Sequence, residues 1–219
     1  MGLDIYFYKQ NKMNPEREEA LKNFNEVNEA LNDFWMRHPD FDPAAHGGSI
    51  REEHDELEKT YNVCRSIYKT LMEREEVAYF RKVNLLLPFF GYDENCSDLI
   101  ITKDQVEDLI RVCGDVLVKE ADIRSRRNER KCAKQNVQQV KAEWNEKNVQ
   151  RIQEQIESID QEWNEYCQET LPNQEGFFFG DYEYDEWYLD KVEQVKKIFE
   201  EVIENVDWER QDLVMYCWW

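Results

Sequence analysis

Glycine and proline are scarce in this 219-residue chain, at 7 and 5 copies, which argues against a turn-rich β-sandwich or barrel. No run of about 18 apolar residues occurs, so no segment reads as a membrane span. The three histidines all fall between positions 38 and 54, so any histidine-based triad would have to be built from one short region. The signatures of phosphate-binding loops, dinucleotide folds, zinc proteases and serine hydrolases are missing. The six cysteines include no C-x-x-C pair. Several fall at apolar helix positions and read as reduced, buried thiols of a cytoplasmic protein. Met1-Gly2-Leu3-Asp4-Ile5-Tyr6 has neither the basic start nor the apolar core of a signal peptide.

Acid is abundant. There are 48 Asp+Glu against 28 Lys+Arg, a formal charge of −20, together with 41% hydrophobic and 13% aromatic residues. That apolar content implies a folded core rather than wholesale disorder. The charge is uneven: residues 119–151 carry 10 Lys+Arg and 5 Asp+Glu, whereas 152–219 carry 4 and 19. The overall balance opposes nonspecific nucleic-acid binding by the body of the protein. The acidic end also admits a nucleic-acid mimic that occupies a partner's nucleic-acid site.

Hydrophobic spacing lays out the elements. Leu3 to Tyr8 alternates as a strand. Pro15 opens an amphipathic helix through Leu21, Phe24, Val27, Leu31 and Phe34, ending near His38. A second helix starts near Ser49, with Glu52 completing a capping box. Val77 to Phe90 reads as a buried helix ending around Pro88, interrupted by the polar Arg81, Lys82 and Asn84. Leu99-Ile100-Ile101 is a short strand, and Thr102 with Gln105 caps the next helix. Residues 103–170 form a helical hairpin or antiparallel coiled coil, broken near Asn145–Asn148; a coiled coil that joins two copies is the rival. Tyr188, Val192, Val195, Phe199, Val202 and Val206 make a further helical stripe, and Leu213 to Trp219 a terminal strand. The fold class is therefore α+β and predominantly helical. It has a small sheet from the N- and C-terminal strands plus a protruding helical hairpin, in one domain over 1–219 with 119–151 as a basic insertion.

Chemistry is harder to read. His38, Asp40, Asp42, His46, Glu53 and His54 match no recurrent metal-site spacing. Paired carboxylates such as Glu75-Glu76 are best read as salt-bridged surface. The segment 177–188 holds seven aromatics, more consistent with core than with a ligand platform. Polar groups on a buried helix are costly unless partnered, so Arg81, Lys82 and Asn84 either pair, with Asp4 or Asp185 for example, or line a pocket.

Three segments carry a resemblance: Met1-Gly2-Leu3-Asp4-Ile5-Tyr6, then Tyr79-Phe80-Arg81-Lys82-Val83-Asn84, then Gly176-Phe177-Phe178-Phe179-Gly180 with Tyr184-Asp185-Glu186-Trp187-Tyr188. Together they resemble an uncharacterised family of phage, prophage and bacterial proteins. Its members open with MGLD, then Ile or Met, then Tyr, and carry a YWRK-A-N helix and a GFFFG…YDEWY segment. Phe80 and Val83 depart from the Trp and Ala of that pattern. Element order resembles the YfbM-like proteins more weakly. The resemblance implies a phage or mobile-element setting but no activity, cofactor or metal.

The resulting expectation is a non-enzymatic binding protein in which the three segments meet. It holds a small anionic or aromatic ligand, such as a nucleotide, at Asp4, Tyr6, Arg81, Lys82, Asn84, Phe178, Tyr184 and Asp185. Arg81 and Lys82 would meet negative charge, and the aromatics would stack. The alternatives are an acidic protein that blocks a host partner and, third, a carboxylate- or metal-dependent enzyme. Expected partners are a small molecule or host protein, with no membrane, little role for nucleic acid, and self-association through the 103–170 helices.

Overall fold

The alternation at the N-terminus becomes β1 (Asp4–Asn11), and the apolar stripes that follow become α1 (Pro15–Arg37) and α2 (Ser49–Leu71). The remaining elements are β2 (Arg74–Arg81), α3 (Leu86–Phe90), β3 (Asp98–Ile101), α4 (Lys103–Gln139), α5 (Asn145–Thr170), α6 (Glu186–Asn205) and β4 (Gln211–Trp218). This computed structural model describes residues 2–44, 47–139, 145–176, 179–180 and 182–219. Four strands form an antiparallel sheet in the order β2-β1-β4-β3. Strands near the two ends of the chain, β1 and β4, are therefore neighbours, as expected. On β3 and β4, Asp98 lies opposite Tyr216 and Ile101 opposite Leu213. The predominantly helical α+β reading is what the chain adopts. Among the described residues no helix is long and apolar enough to cross a membrane.

The chain divides into two compact units. The smaller comprises Lys9–Glu75 and Glu209–Asp212; the larger comprises Met1–Tyr8, Glu76–Trp208 and Leu213–Trp219. In the smaller, α1 and α2 pair through Phe24, whose ring lies 5.7 Å from Tyr61 and 4.8 Å from Tyr68. Asn14 caps α1 by accepting from the Arg17 amide at 2.9 Å. The capping box expected at Ser49 is not made. Gly48, at φ 73°, is the N-cap and provides no side-chain bond. A glycine in that left-handed conformation takes the chain into the helix one residue before Ser49 could act as cap.

In the larger unit Leu3, Ile5, Phe7, Phe80, Leu213, Met215 and Cys217 line one face of the sheet. They share a core with Leu109 and Cys113 of α4, Trp163 and Cys167 of α5, and Val195 and Phe199 of α6. Burial holds the Cys113 and Cys167 thiols up at about 12, so both stay protonated and unreactive near neutrality. Cys96 and Cys132, by contrast, are exposed.

The buried helix expected over Val77–Phe90 is a correction. Residues 74–81 are strand β2 and only Leu86–Phe90 is helical. The decisive period is two: Ala78 and Phe80 are buried while Tyr79 and Arg81 point to the opposite face and are exposed. Lys82 then adopts φ 58° and ends the strand. Arg81 and Lys82 therefore never interrupt a buried helix.

Thr102 and Gln105 do form the expected box: the Gln105 amide donates to Thr102 Oγ1 at 3.2 Å, and the Thr102 amide to Gln105 Oε1 at 2.9 Å. α4 and α5 pack antiparallel within one chain; residues 140–144 lie outside the described residues, and Asn145–Asn148, where a break was expected, form the first turn of α5. The basic stretch has an internal use. Lys119 and Arg126 both reach Glu162 (2.6 and 2.7 Å), and Arg127 reaches Asp160 at 2.6 Å. Arg126 first, then Lys119, holds the Glu162 carboxyl down from its ordinary 4.5 to about 2. A depressed carboxyl stabilises the fold above its unfolded value and loses that contribution as pH falls through its folded value. The stability difference between wild type and Glu162→Gln, read as melting temperature, should therefore be full above about pH 5 and shrink steadily as pH falls from 4.5 towards 2.

Candidate functional site

The three motif segments lie side by side. The Lys82 amide donates to the Leu3 carbonyl at 2.8 Å, joining the first segment to the second. The second meets the third where Asn84 Nδ2 donates to the Gln174 carbonyl at 3.0 Å and where Lys82 lies against Gly180. Glycine at Gly180 is favoured by its φ of 99°, and an added Cβ there would touch Lys82 Cβ at 3.4 Å. At Gly2 an added Cβ would stand 3.5 Å from Lys82 Cε and 3.7 Å from Arg81 Nη2. Lys82 thus lies against two glycines, and Arg81 against one of them, at one corner of the sheet.

The sheet face opposite the core begins beside this corner. Asp4, Tyr6 and Tyr8 of β1 point there, as do Tyr79 and Arg81 of β2, each alternating with an inward residue. Tyr79, 40% exposed, has its ring 5.0 Å from that of Tyr6, and Tyr6 stacks on Tyr8 at 6.0 Å. Tyr79 Oη donates to Asp4 Oδ1 at 2.5 Å. Arg81 Nε lies 4.0 Å from the same oxygen, yet the Arg81 side chain stays 61% exposed. At that distance and exposure the pair is a weak one, leaving the guanidinium largely available. Lys82 has no carboxylate partner among the described residues.

The hydrogen bond to Asp4, reinforced by burial, raises the Tyr79 phenol above its usual 10. Removing the carboxylate charge in Asp4→Asn should lower that value, measurable as Tyr79's share of phenolate absorbance against a Tyr79→Phe control. A raised folded value means the bond stabilises fully below pH 10 and is lost as pH climbs through the higher folded value.

Of the residues singled out in the sequence, Asp4, Tyr6, Arg81 and Lys82 are brought together here. Asn84 is fully buried and holds the 174 loop rather than facing solvent. Phe178 lies outside the described residues. Asp185 is the N-cap of α6, accepting from the amides of Trp187 (2.9 Å) and Tyr188 (3.2 Å). Tyr184 accepts from the Asn173 amide at 3.4 Å through its hydroxyl and from Trp163 Nε1 at 2.6 Å through its carbonyl. Tyr79, Tyr8 and Gly180 were not singled out as ligand residues; reading β2 as a strand would have placed Tyr79 beside Tyr6.

His54 of α2 is buried among Phe34, Trp35 and Phe41, as a core histidine is. Donor atoms of His54, Asp55 and Glu58 lie within 4.8 Å of one another, the two carboxylates being exposed. His46 falls outside the described residues. The comparisons identify no relative: no protein-family model, no curated protein and no solved structure matches this chain.

Proposed function

We propose that this is a cytoplasmic, non-enzymatic binding protein that holds a small aromatic anion, of which a nucleotide is the model, at the corner of the sheet. The observation that carries the reading is the placement of Lys82 against Gly2 and Gly180, and of Arg81 against Gly2, with the Tyr79–Tyr6 pair on the same two strands. Arginine and lysine supply point and forked donors for phosphate. An exposed tyrosine ring next to them supplies a face for a base. The motif resemblance supports a phage or prophage setting.

A thermal-shift panel of nucleotides, cyclic nucleotides and dinucleotides tests it. A ligand at about 100 times its dissociation constant adds roughly 2.7 kcal/mol, which for a chain of this size raises the melting temperature by roughly 5–10 °C. A hit that disappears in Arg81→Ala supports the site; a panel without any shift counts against it.

A second reading, an acidic protein that occupies a partner's nucleic-acid-binding surface, is supported by the outer face of α6, where Glu193, Glu200, Glu201 and Glu204 are all exposed. It requires a complex weakened steeply by salt.

A further inference from the structure

The smaller unit holds a group of side chains in ligating reach of one another. On α2, His54, Asp55 and Glu58 bring one ring nitrogen and two carboxylate oxygens within 4.8 Å of one another. Residues three and four apart on a helix share a face, so Glu58 stands one turn from both of the others. The fold separates His54 from the other ligating residues of its region. Glu53 is held by Arg37 at 2.7 Å, and Asp42 Oδ1 accepts from the Ala44 amide at 2.9 Å.

Two exposed carboxylates on an acidic helix carry nothing by themselves. The histidine is the independent observation. Its side chain is only 7% exposed, and the rings of Phe34, Trp35 and Phe41 stand 5.4, 5.4 and 4.8 Å from it. The two phenylalanines offer its nitrogens no polar partner, and the Trp35 indole has only a donor. Among the described residues its one polar neighbour is Asp55, whose Oδ1 lies 3.3 Å from Nδ1. A buried imidazole is therefore aimed at this cluster alone. That separation is long for an N–H···O bond, which centres near 2.9–3.0 Å. It matches the distance of about 3.3 Å between two ligands on a tetrahedral ion with bonds of about 2.0–2.1 Å.

The donor set narrows the ligand. A neutral imidazole with two carboxylates carries two negative charges, which a divalent ion cancels. Magnesium and calcium take oxygen ligands, whereas imidazole suits zinc and its transition-metal neighbours. Three protein ligands leave one position to water in a tetrahedral shell. The aromatic rings around His54 fix its orientation and keep water from its far side. Competition is slight. Arg51 reaches only the other oxygen of Asp55, at 3.6 Å with both side chains exposed, and Glu58 has no ion-pair partner among the described residues. We infer that His54, Asp55 and Glu58 form a binding site for one divalent transition-metal ion, with zinc as its type. This inference is independent of the nucleotide reading, since it uses none of the corner residues.

Zn²⁺ is the probe, titrated calorimetrically into the full chain, with Mg²⁺ in a parallel arm. A saturable zinc site is expected that survives Cys96→Ser/Cys132→Ser, the exposed thiols being the chief rival ligands. It should weaken at least tenfold in Asp55→Asn/Glu58→Gln and stay unchanged in Glu52→Gln/Glu56→Gln, which removes the same charge from α2 outside the donor set. Nitrogen-15 NMR of histidine-labelled protein reads the imidazole directly, with His38→Gln and His46→Gln variants assigning the signals; zinc should shift a ring nitrogen of His54. No saturable site, equal weakening by both charge variants, Mg²⁺ binding as tight as Zn²⁺, or a histidine response confined to His38 and His46 would each overturn the inference. All four carboxylates are exposed, so the variants should fold, and unchanged metal-free melting temperatures verify this.

Discussion

Replacing Phe199 with alanine is expected to destabilise the protein by about 4 kcal/mol. Phe199 is fully buried on α6 and sits where three other elements converge. Its ring is 4.9 Å from Phe7 on β1, edge to face, 5.8 Å and stacked on Phe80 of β2, and 6.1 Å from Phe90 of α3. Truncation removes the transfer free energy of the ring and leaves a cavity that four aromatic-bearing elements cannot collapse around without moving the sheet. Native domains are stable by only about 5–15 kcal/mol, so a large part of the total would go. Chemical denaturation should show the midpoint falling with little change in slope. A loss below about 1 kcal/mol would mean that α6 does not anchor the sheet as described.

The largest functional effect is expected from Arg81→Ala combined with Lys82→Ala. Hydrogen bonds to charged groups contribute about 1.5–3 kcal/mol each, so losing either cation should weaken nucleotide binding roughly ten- to hundredfold, and losing both should abolish it in a millimolar assay. Stability should change little. Arg81 has one 4.0 Å ion contact on a mostly exposed side chain, and exposed pairs contribute about 0–1 kcal/mol. The separation between the two readouts is the informative part. If the double variant loses several degrees of melting temperature without ligand, the corner serves folding rather than binding.

Much of the architecture could be read from residue spacing, because the elements concerned obey one period without competition. The α6 stripe from Tyr188 to Val202 repeats at three and four residues, and its members are buried as that spacing requires. Leu3 to Tyr8 alternates apolar and polar residues as a strand does, and the apolar terminal run from Leu213 supplied its neighbour in the sheet. The 77–90 segment satisfied two periods at once. Val77, Phe80, Asn84 and Leu87 fit a helix, whereas Ala78 and Phe80 against Tyr79 and Arg81 fit a strand. Tertiary pairing with β1 decided the matter in favour of the strand. The left-handed Lys82 has no sequence signal, since lysine does not favour φ 58°. Asp185 had a readable one, an Asp directly before a helical stripe, and its role as an N-cap follows from ordinary capping chemistry. The internal use of the basic stretch 119–151 could not be read locally, because its counter-charges Asp160 and Glu162 lie beyond it in sequence and meet it only when α5 packs against α4.

The central claim, that an aromatic anion stacks at the Tyr79–Tyr6 pair under Arg81 and Lys82, is tested most directly by fluorine NMR of 3-fluorotyrosine-labelled protein during a nucleotide titration. Single Tyr→Phe variants assign the resonances. The account predicts saturable shifts at Tyr6 and Tyr79, absent in Arg81→Ala, while Tyr92, which is buried and bonded to the Ser97 carbonyl at 2.6 Å, stays still. Unmoved Tyr6 and Tyr79 signals at millimolar nucleotide, or shifts confined to Tyr184, would contradict it.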